Sequence, residues 1–333
     1  MERAKINVKR TLTFLTICAL FFAFCVCGQA QQPAKIPRIG FVSGAGDSKN
    51  PGPSFRRGLR DLGYIEGKNI IVEYRYIEGN RDRISSIVAE FVQLKVDVAV
   101  TSEQSWVRAA EQVTKTIPIV MVINGDPVAT GLVESLARPG GNITGLTRLN
   151  RELSGKRLEL LKEAVPTISR VGVLTGVDAT TLGVALKEYQ AAARALKIPF
   201  QSLEVRGPNP DLEGAFEAAV KGRVNGIITI RSSLMNRYSK RVADLAIKNR
   251  LPSMYEGSQY VEAGGLMSYS TNDAESFKRA AVYVDKILKG TKPADLPVEQ
   301  PTKFELVINL KTAQELGFKI PPKMLMWADK VIK

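Results

Sequence analysis

The chain has 333 residues, 44% of them apolar, with 47 Lys and Arg against 33 Asp and Glu and no histidine. Without histidine, Ser-His-Asp triads, imidazole acid–base chemistry and His-ligated metals are excluded together. The basic excess is interspersed, with no block of five like charges and no aromatic–basic tract, so it reads as a solvated surface and not a nucleic-acid face.

The first thirty residues are a different material. Met1 to Arg10 holds Arg3, Lys5, Lys9 and Arg10 against Glu2 alone, and Leu12 to Val26 is almost wholly apolar. Gly28-Gln29-Ala30 then offers a small-x-small cleavage site, so residues 1–30 read as a secretory signal peptide cut after Ala30, with a periplasmic destination. The apolar run is shorter than the roughly 20 residues a spanning helix needs. Cys18, Cys25 and Cys27 all fall inside this leader, and Phe24 and Val26, which precede the last two, are too large for a lipid-modified cysteine. The mature chain is cysteine-free, with 43 basic and 32 acidic residues, which also removes thiol catalysis and Cys-ligated zinc.

Gln31 to Ile36 is a flexible lead-in. The stretch Arg38 to Gly46, RIGFVSGAG, is a short apolar strand ending in small, turn-prone residues. A Gly-, Ser- and Pro-rich loop, Ser43 to Pro53, leads to a helix ending near Leu62, with Gly63 as its stop signal. Asn69 to Tyr76 is a second strand. Ile84, Ile87, Val88, Phe91 and Val92 recur at helical spacing. Val96 to Thr101 is a third strand, Trp106 to Thr114 a helix and Ile117 to Ile123 a fourth strand. A helix is expected over Val128 to Leu136, and RPGGNITGL, Arg138 to Leu146, gives a Gly-rich turn and a short strand.

The second half repeats the first. RVGVLTGVD, Arg170 to Asp178, echoes RIGFVSGAG, VNGIIT from Val224 echoes VDVAVT from Val96, and Leu251-Pro252 echoes Ile117-Pro118, at offsets of 132, 128 and 134. Such a period is that of a duplicated domain, not a solenoid. Extended runs at GGLMSYS (Gly264 to Ser270) and FELVIN (Phe304 to Asn309) flank a helix whose apolar face is Phe277, Ala281, Val284 and Leu288. The pattern predicts an α/β protein of two similar three-layer αβα lobes with mostly parallel sheets, joined by a hinge crossed three times. The lobes are expected at 36–145 with 268–298, and at 146–267 with 299–333.

Four blocks, GLRDLGYIEGKNIIVEYR, LARPGGNITGL, VEAGGLMSYS and ADLPVEQPTKFELVINLKTAQELGF, resemble the substrate-binding protein family of ABC importers that includes TrpX-like proteins. The resemblance covers Ile36 to Lys333. It implies a type 1 periplasmic binding fold, capture of a small molecule and its delivery to a membrane permease by a monomer that needs no cofactor and no nucleic acid. Some such relatives take aromatic amino acids.

In such a receptor, loops after corresponding strands face each other across a cleft that closes by hinge motion. Ser43 and Thr175 end the first strand of each half, where a hydroxyl bonds a ligand or caps a turn. Ser102 follows the third strand, and Trp106 just beyond it stacks on an aromatic ligand or packs in the core. Asp126 before Pro127 caps a helix start and is also compatible with binding an amine. Arg231 follows the strand Gly226 to Ile230 and suits a carboxylate, and Tyr255 could close over the ligand. No metal site and no placed carboxylate pair for hydrolysis stand out. A solute receptor, not an enzyme, is therefore the first reading; a sensing module for a chemoreceptor or sensor kinase and a carboxylate-dependent hydrolase are the alternatives.

Overall fold

The computed structural model describes residues 35–44, 52–78, 80, 82–148, 153–176 and 182–333. The expected signal peptide, the tip of the loop after the first strand, including Gly46, and Asp178 of the echo lie outside the described residues. Among those described, no helix is long and apolar enough to cross a membrane.

The first half of the chain alternates β1 (Arg38–Ser43), α1 (Gly52–Asp61), β2 (Ile71–Tyr76), α2 (Asp82–Gln93), β3 (Val98–Thr101), α3 (Gln104–Val113), β4 (Ile119–Ile123) and β5 (Ile143–Thr147). Its sheet has the order β2-β1-β3-β4-β5 and every pair is parallel. The second half opens with α4 (Ser154–Ala164), β6 (Val171–Gly176), α5 (Leu182–Ala195), β7 (Phe200–Val205), α6 (Leu212–Lys221) and β8 (Gly226–Thr229). It continues with α7 (Ser233–Arg237), α8 (Ser239–Lys248), β9 (Ser253–Tyr255), α9 (Ser258–Glu262) and β10 (Met267–Ser270). Then come α10 (Asp273–Leu288), β11 (Glu305–Asn309), α11 (Leu310–Glu315), α12 (Pro322–Trp327) and β12 (Lys330–Ile332). The second sheet runs β7-β6-β8-β9-β10 and then β11 and β12, with only β10–β11 antiparallel. Its first five strands repeat the order of the first sheet, which is the duplication legible in the sequence.

Both faces of each sheet are buried, as helix-flanked parallel sheets require. In β1, Ile39 and Phe41 join one cluster with Phe55 of α1 and Phe277 of α10, while Val42 joins another with Phe91 of α2 and Trp106 of α3. Gly40 is what admits Phe91 there: a Cβ at that position would lie 2.3 Å from the ring. In the second sheet, Val173 and Met254 face a cluster with α4 and α11, and Leu174 and Tyr255 face one with α6, α8 and α9. The edge strand β7 instead alternates, burying Leu203 and Val205 and exposing Ser202 and Glu204.

The chain passes between sheets three times. It leaves the first sheet after β5, returns after β10 to lay α10 on the first sheet, and leaves again after Glu299, which bridges Leu146 beside β5, to form β11. β5 holds residues 146–147 in the first sheet, and β10 holds 268–270 in the second. One difference is local. The helix expected over Val128 to Leu136 is a run of turns. Thr130 and Leu132 donate their N–H groups back to Asp126 and Pro127, but the winding ends at Gly131 with φ +70°.

Candidate functional site

Parallel strands bring their carboxyl ends to one edge of each sheet, and open α/β sheets take ligands at that edge. Here the two edges meet through side chains. Arg148 follows β5 directly. Its Nη1 donates to the Val122 carbonyl (2.7 Å) and to Asn124 Oδ1 (3.0 Å), tying it to the end of β4. Its Nε lies 3.0 Å from Asp273 Oδ1. Asp273 leaves the carboxyl end of β10 and opens α10, whose N-cap Asn272 accepts from the Glu275 N–H (3.1 Å). The same carboxylate takes both arms of Arg231, which follows β8: Nη1 to Oδ1 at 3.0 Å, and Nη2 to Oδ2.

The network continues inside the second lobe. The Arg231 backbone N–H donates to Glu256 Oε2 (3.0 Å). Glu256 Oε1 accepts from the Tyr189 hydroxyl (2.7 Å) and from Arg157 Nη1 (3.1 Å). Arg157, fully buried on α4, also donates from Nε to the Tyr269 carbonyl in β10 (2.7 Å). Five charged side chains thus form one connected seam from the end of the first sheet into the second. At a separate point, Arg237 of α7 donates to the Glu78 carbonyl just beyond β2 (2.9 Å), a second tie between the lobes.

Electrostatics distinguish these groups. Burial alone would raise the Asp273 carboxyl, but Arg231 and then Arg148 outweigh it and hold the group at about 2. Burial likewise works against the Arg231 charge, yet Asp273 reverses the balance and its pKa rises. Arg148 is the exception: 2% exposed, it is pulled down to about 10 by burial, which the field of Asp273 only partly opposes. Neither its Nε nor its Nη2 has a hydrogen-bond partner among the described residues. A buried donor left unmet costs roughly 1–3 kcal/mol, and more when charged.

A family model described as ABC transporter substrate binding protein matches residues 38–332, essentially the whole of this architecture. The chain belongs to that family. A "Tyrosine-binding protein" of Clostridioides difficile (strain R20291) is 26% identical over 267 residues, 80% of this substrate-binding protein and 76% of the relative. A conserved domain protein from Vibrio cholerae superposes with a TM-score of 0.81 at 26% identity, covering 89% of this chain and all of that one. A Streptococcus pneumoniae ABC domain in complex with L-Trp gives 0.81 at 24% identity, over 89% and 99% of the two chains. A ligand-free, open substrate-binding protein with adhesive properties from Clostridium difficile gives 0.64 at 23%, over 90% and 100%. The family is one of substrate-binding proteins and not a class of enzymes. The type 1 periplasmic binding fold expected from the sequence is the fold of this protein.

The residues singled out in the sequence separate into two groups. Arg231 sits on the seam, but both arms of its guanidinium are committed to Asp273. Ser43 and Thr175 are buried at the ends of β1 and β6, and Ser102 Oγ lies 3.3 Å from Glu103 Oε1 beside the start of α3. The other three have structural partners. Trp106, 2% exposed, meets Phe91 edge-on with ring centres 5.8 Å apart. Tyr255 is buried and stacked on Tyr260 at 4.8 Å, on the α9 side of its sheet. Asp126 is exposed and caps the Val128 and Ala129 N–H groups (2.8 and 3.1 Å), the capping role foreseen for it. Sequence reasoning passed over Arg148, Arg157 and Asp273. Asp273 follows Asn272 and reads as ordinary helix-start chemistry. Arg148 carried one usable signal: a charged residue directly after the apolar strand ITGLT. Among the described residues no group of three His, Cys, Asp or Glu could hold a metal.

Proposed function

We propose that this substrate-binding protein captures an aromatic amino acid between its lobes and presents it to the membrane permease of an ABC importer. It does so as a monomer outside the cytoplasm, exported by residues 1–30. The observation that carries this reading is the seam: cations and carboxylates from both lobes, most of them buried, converge where the carboxyl ends of both sheets meet. Such a place suits a small solute with charges of both signs, whose ammonium and carboxylate must exchange water for protein partners. The name of the tyrosine-binding relative supports an aromatic amino acid as the solute, and the L-Trp complex of a protein of the same fold accords with it. Ser43, Ser102 and Thr175, at strand ends on that edge, are the hydroxyls offered to the polar part of the solute; Trp106, Asp126 and Tyr255 support the lobes that carry them.

The test is a thermal-shift screen of the purified protein against the twenty amino acids, with sugars, nucleosides and dicarboxylates as comparison. Saturation at 100 times Kd adds about 2.7 kcal/mol of stability, enough to raise Tm by several degrees. Tyrosine or tryptophan should give the largest rise. A rise confined to sugars or nucleosides, or none at all, refutes the reading.

A further inference from the structure

The seam holds three guanidiniums but only two carboxylates, Glu256 buried and Asp273 partly exposed, and the shortfall falls on Arg148. Arg157 is answered by Glu256 and Arg231 by Asp273. Arg148 has the edge of a carboxylate that Arg231 already holds in two-pronged fashion. A guanidinium carries five N–H donors. In Arg148 the two on Nη1 meet the neutral oxygens of Val122 and Asn124, and the one on Nε faces Asp273. Among the described residues the two on Nη2 meet none, and Nε has only its ion-pair contact with Asp273 and no hydrogen bond. Glu103, half-buried at the start of α3, is the other acidic group whose field supports the Arg148 charge.

Burying a cation while leaving three of its five donors without a hydrogen bond works against folding, and a residue needed only for packing would gain from losing the charge. The position makes sense of it. Arg148 stands at the carboxyl edge of the first sheet, beside the crossing to the second lobe, with its plane fixed from two sides by Asn124 and Asp273. Resting on the amino-acid reading above, we propose that Arg148 anchors the carboxylate of the ligand through Nη2. Asp273 is a positioning residue that orients the anchor and, through Arg231, couples it to the second lobe. Nη2 is out of reach of water in the described arrangement, so a carboxylate meets it as the lobes part, with the Arg237–Glu78 tie released. No bond is made or broken; the carboxylate exchanges its water for N–H donors.

The experiment is a calorimetric cycle in the full protein, with L-tyrosine and L-tryptophan set against L-tyrosinamide and L-tryptophanamide, which differ at the carboxylate. Wild type should prefer each acid over its amide by roughly 100-fold. Arg148→Gln should lose about that factor for the acids and less than about threefold for the amides, collapsing the preference. Should R148Q fail to fold, Arg148→Lys, which keeps charge but not the planar fork, should cost the acids about tenfold. The acid-versus-amide comparison on wild type needs no variant. An amide bound as tightly as its acid, or an R148Q that weakens acid and amide equally, overturns the anchor while leaving the amino-acid reading intact. A wild-type protein that takes neither acid refutes the amino-acid reading itself, and the anchor falls with it.

Discussion

Replacing Asp273 by Asn removes the one carboxylate that Arg148 and Arg231 share while preserving its shape and one acceptor oxygen. Its carboxyl is held at about 2 against an ordinary 3.8, with the side chain 30% exposed. At 1.36 kcal/mol per unit this corresponds to about 2 kcal/mol of stability at neutral pH. Breaking a buried pair outright costs about 3–5 kcal/mol, and the residual Asn hydrogen bond argues for the lower end. Asp273→Asn should therefore lose about 2–3 kcal/mol in urea unfolding at pH 7, with Tm falling by roughly 5 °C. The pH dependence carries a sign. Because folding depresses this pKa, the contribution is fully present above the unfolded value of 3.8 and is lost as pH falls through about 2. Wild type and variant should thus differ at pH 7 and converge between pH 4 and pH 2. A variant within about 0.5 kcal/mol of wild type at pH 7 would refute the coupling described for the seam.

Glu256→Gln should cost about 3 kcal/mol in the same unfolding assay, because the amide NH2 must face either the Arg231 N–H or the donors of Arg157 and Tyr189; a neutral result would show that the carboxylate is dispensable. Gly145→Ala should be among the most damaging single changes, about 3 kcal/mol or more, since φ is +131° and the new Cβ would sit 2.1 Å from the Met121 carbonyl; a cost under about 1 kcal/mol would contradict that packing. Trp106→Ala should cost about 3–5 kcal/mol by cavity formation and Trp106→Phe clearly less. With only two tryptophans in the chain, a Trp327→Phe background isolates Trp106 fluorescence; emission unchanged on tyrosine binding is expected of a core residue, and strong quenching would favour direct stacking.

The architecture was legible because both sheets are buried on two faces and their strands are therefore near-continuous apolar runs, from IGFV and VAV to GVL and GII. The repeat of β1 in β6 and of β3 in β8 follows from identical strand order in the two lobes. Two places were harder. The Val128 to Leu136 stretch has helical composition, but Gly131 and the turn before Pro139 let it wind only once. β12 is three residues long and exists by pairing with β11, which no local pattern announces.

The site was less legible than the fold. Strand-end logic points to the carboxyl edge of each sheet and to Arg231, but the partner of Arg231 is 42 residues away, across a crossing between lobes. Asp273 looks like capping chemistry until Arg148 and Arg231 are placed on either side of it. Tyr255 and Trp106 face the core: successive strand residues point to opposite faces, as Met254 and Tyr255 show by joining opposite clusters, and Trp106 lies on the face of α3 turned to Phe91.

The most direct measurement is isothermal titration of the purified protein with L-tyrosine and with L-tryptophan. One of the two should bind with a stoichiometry near one per chain and with a negative heat-capacity change from the apolar surface removed from water. No heat of binding for either, at concentrations where a sugar or nucleoside does bind, would contradict amino-acid capture between these lobes.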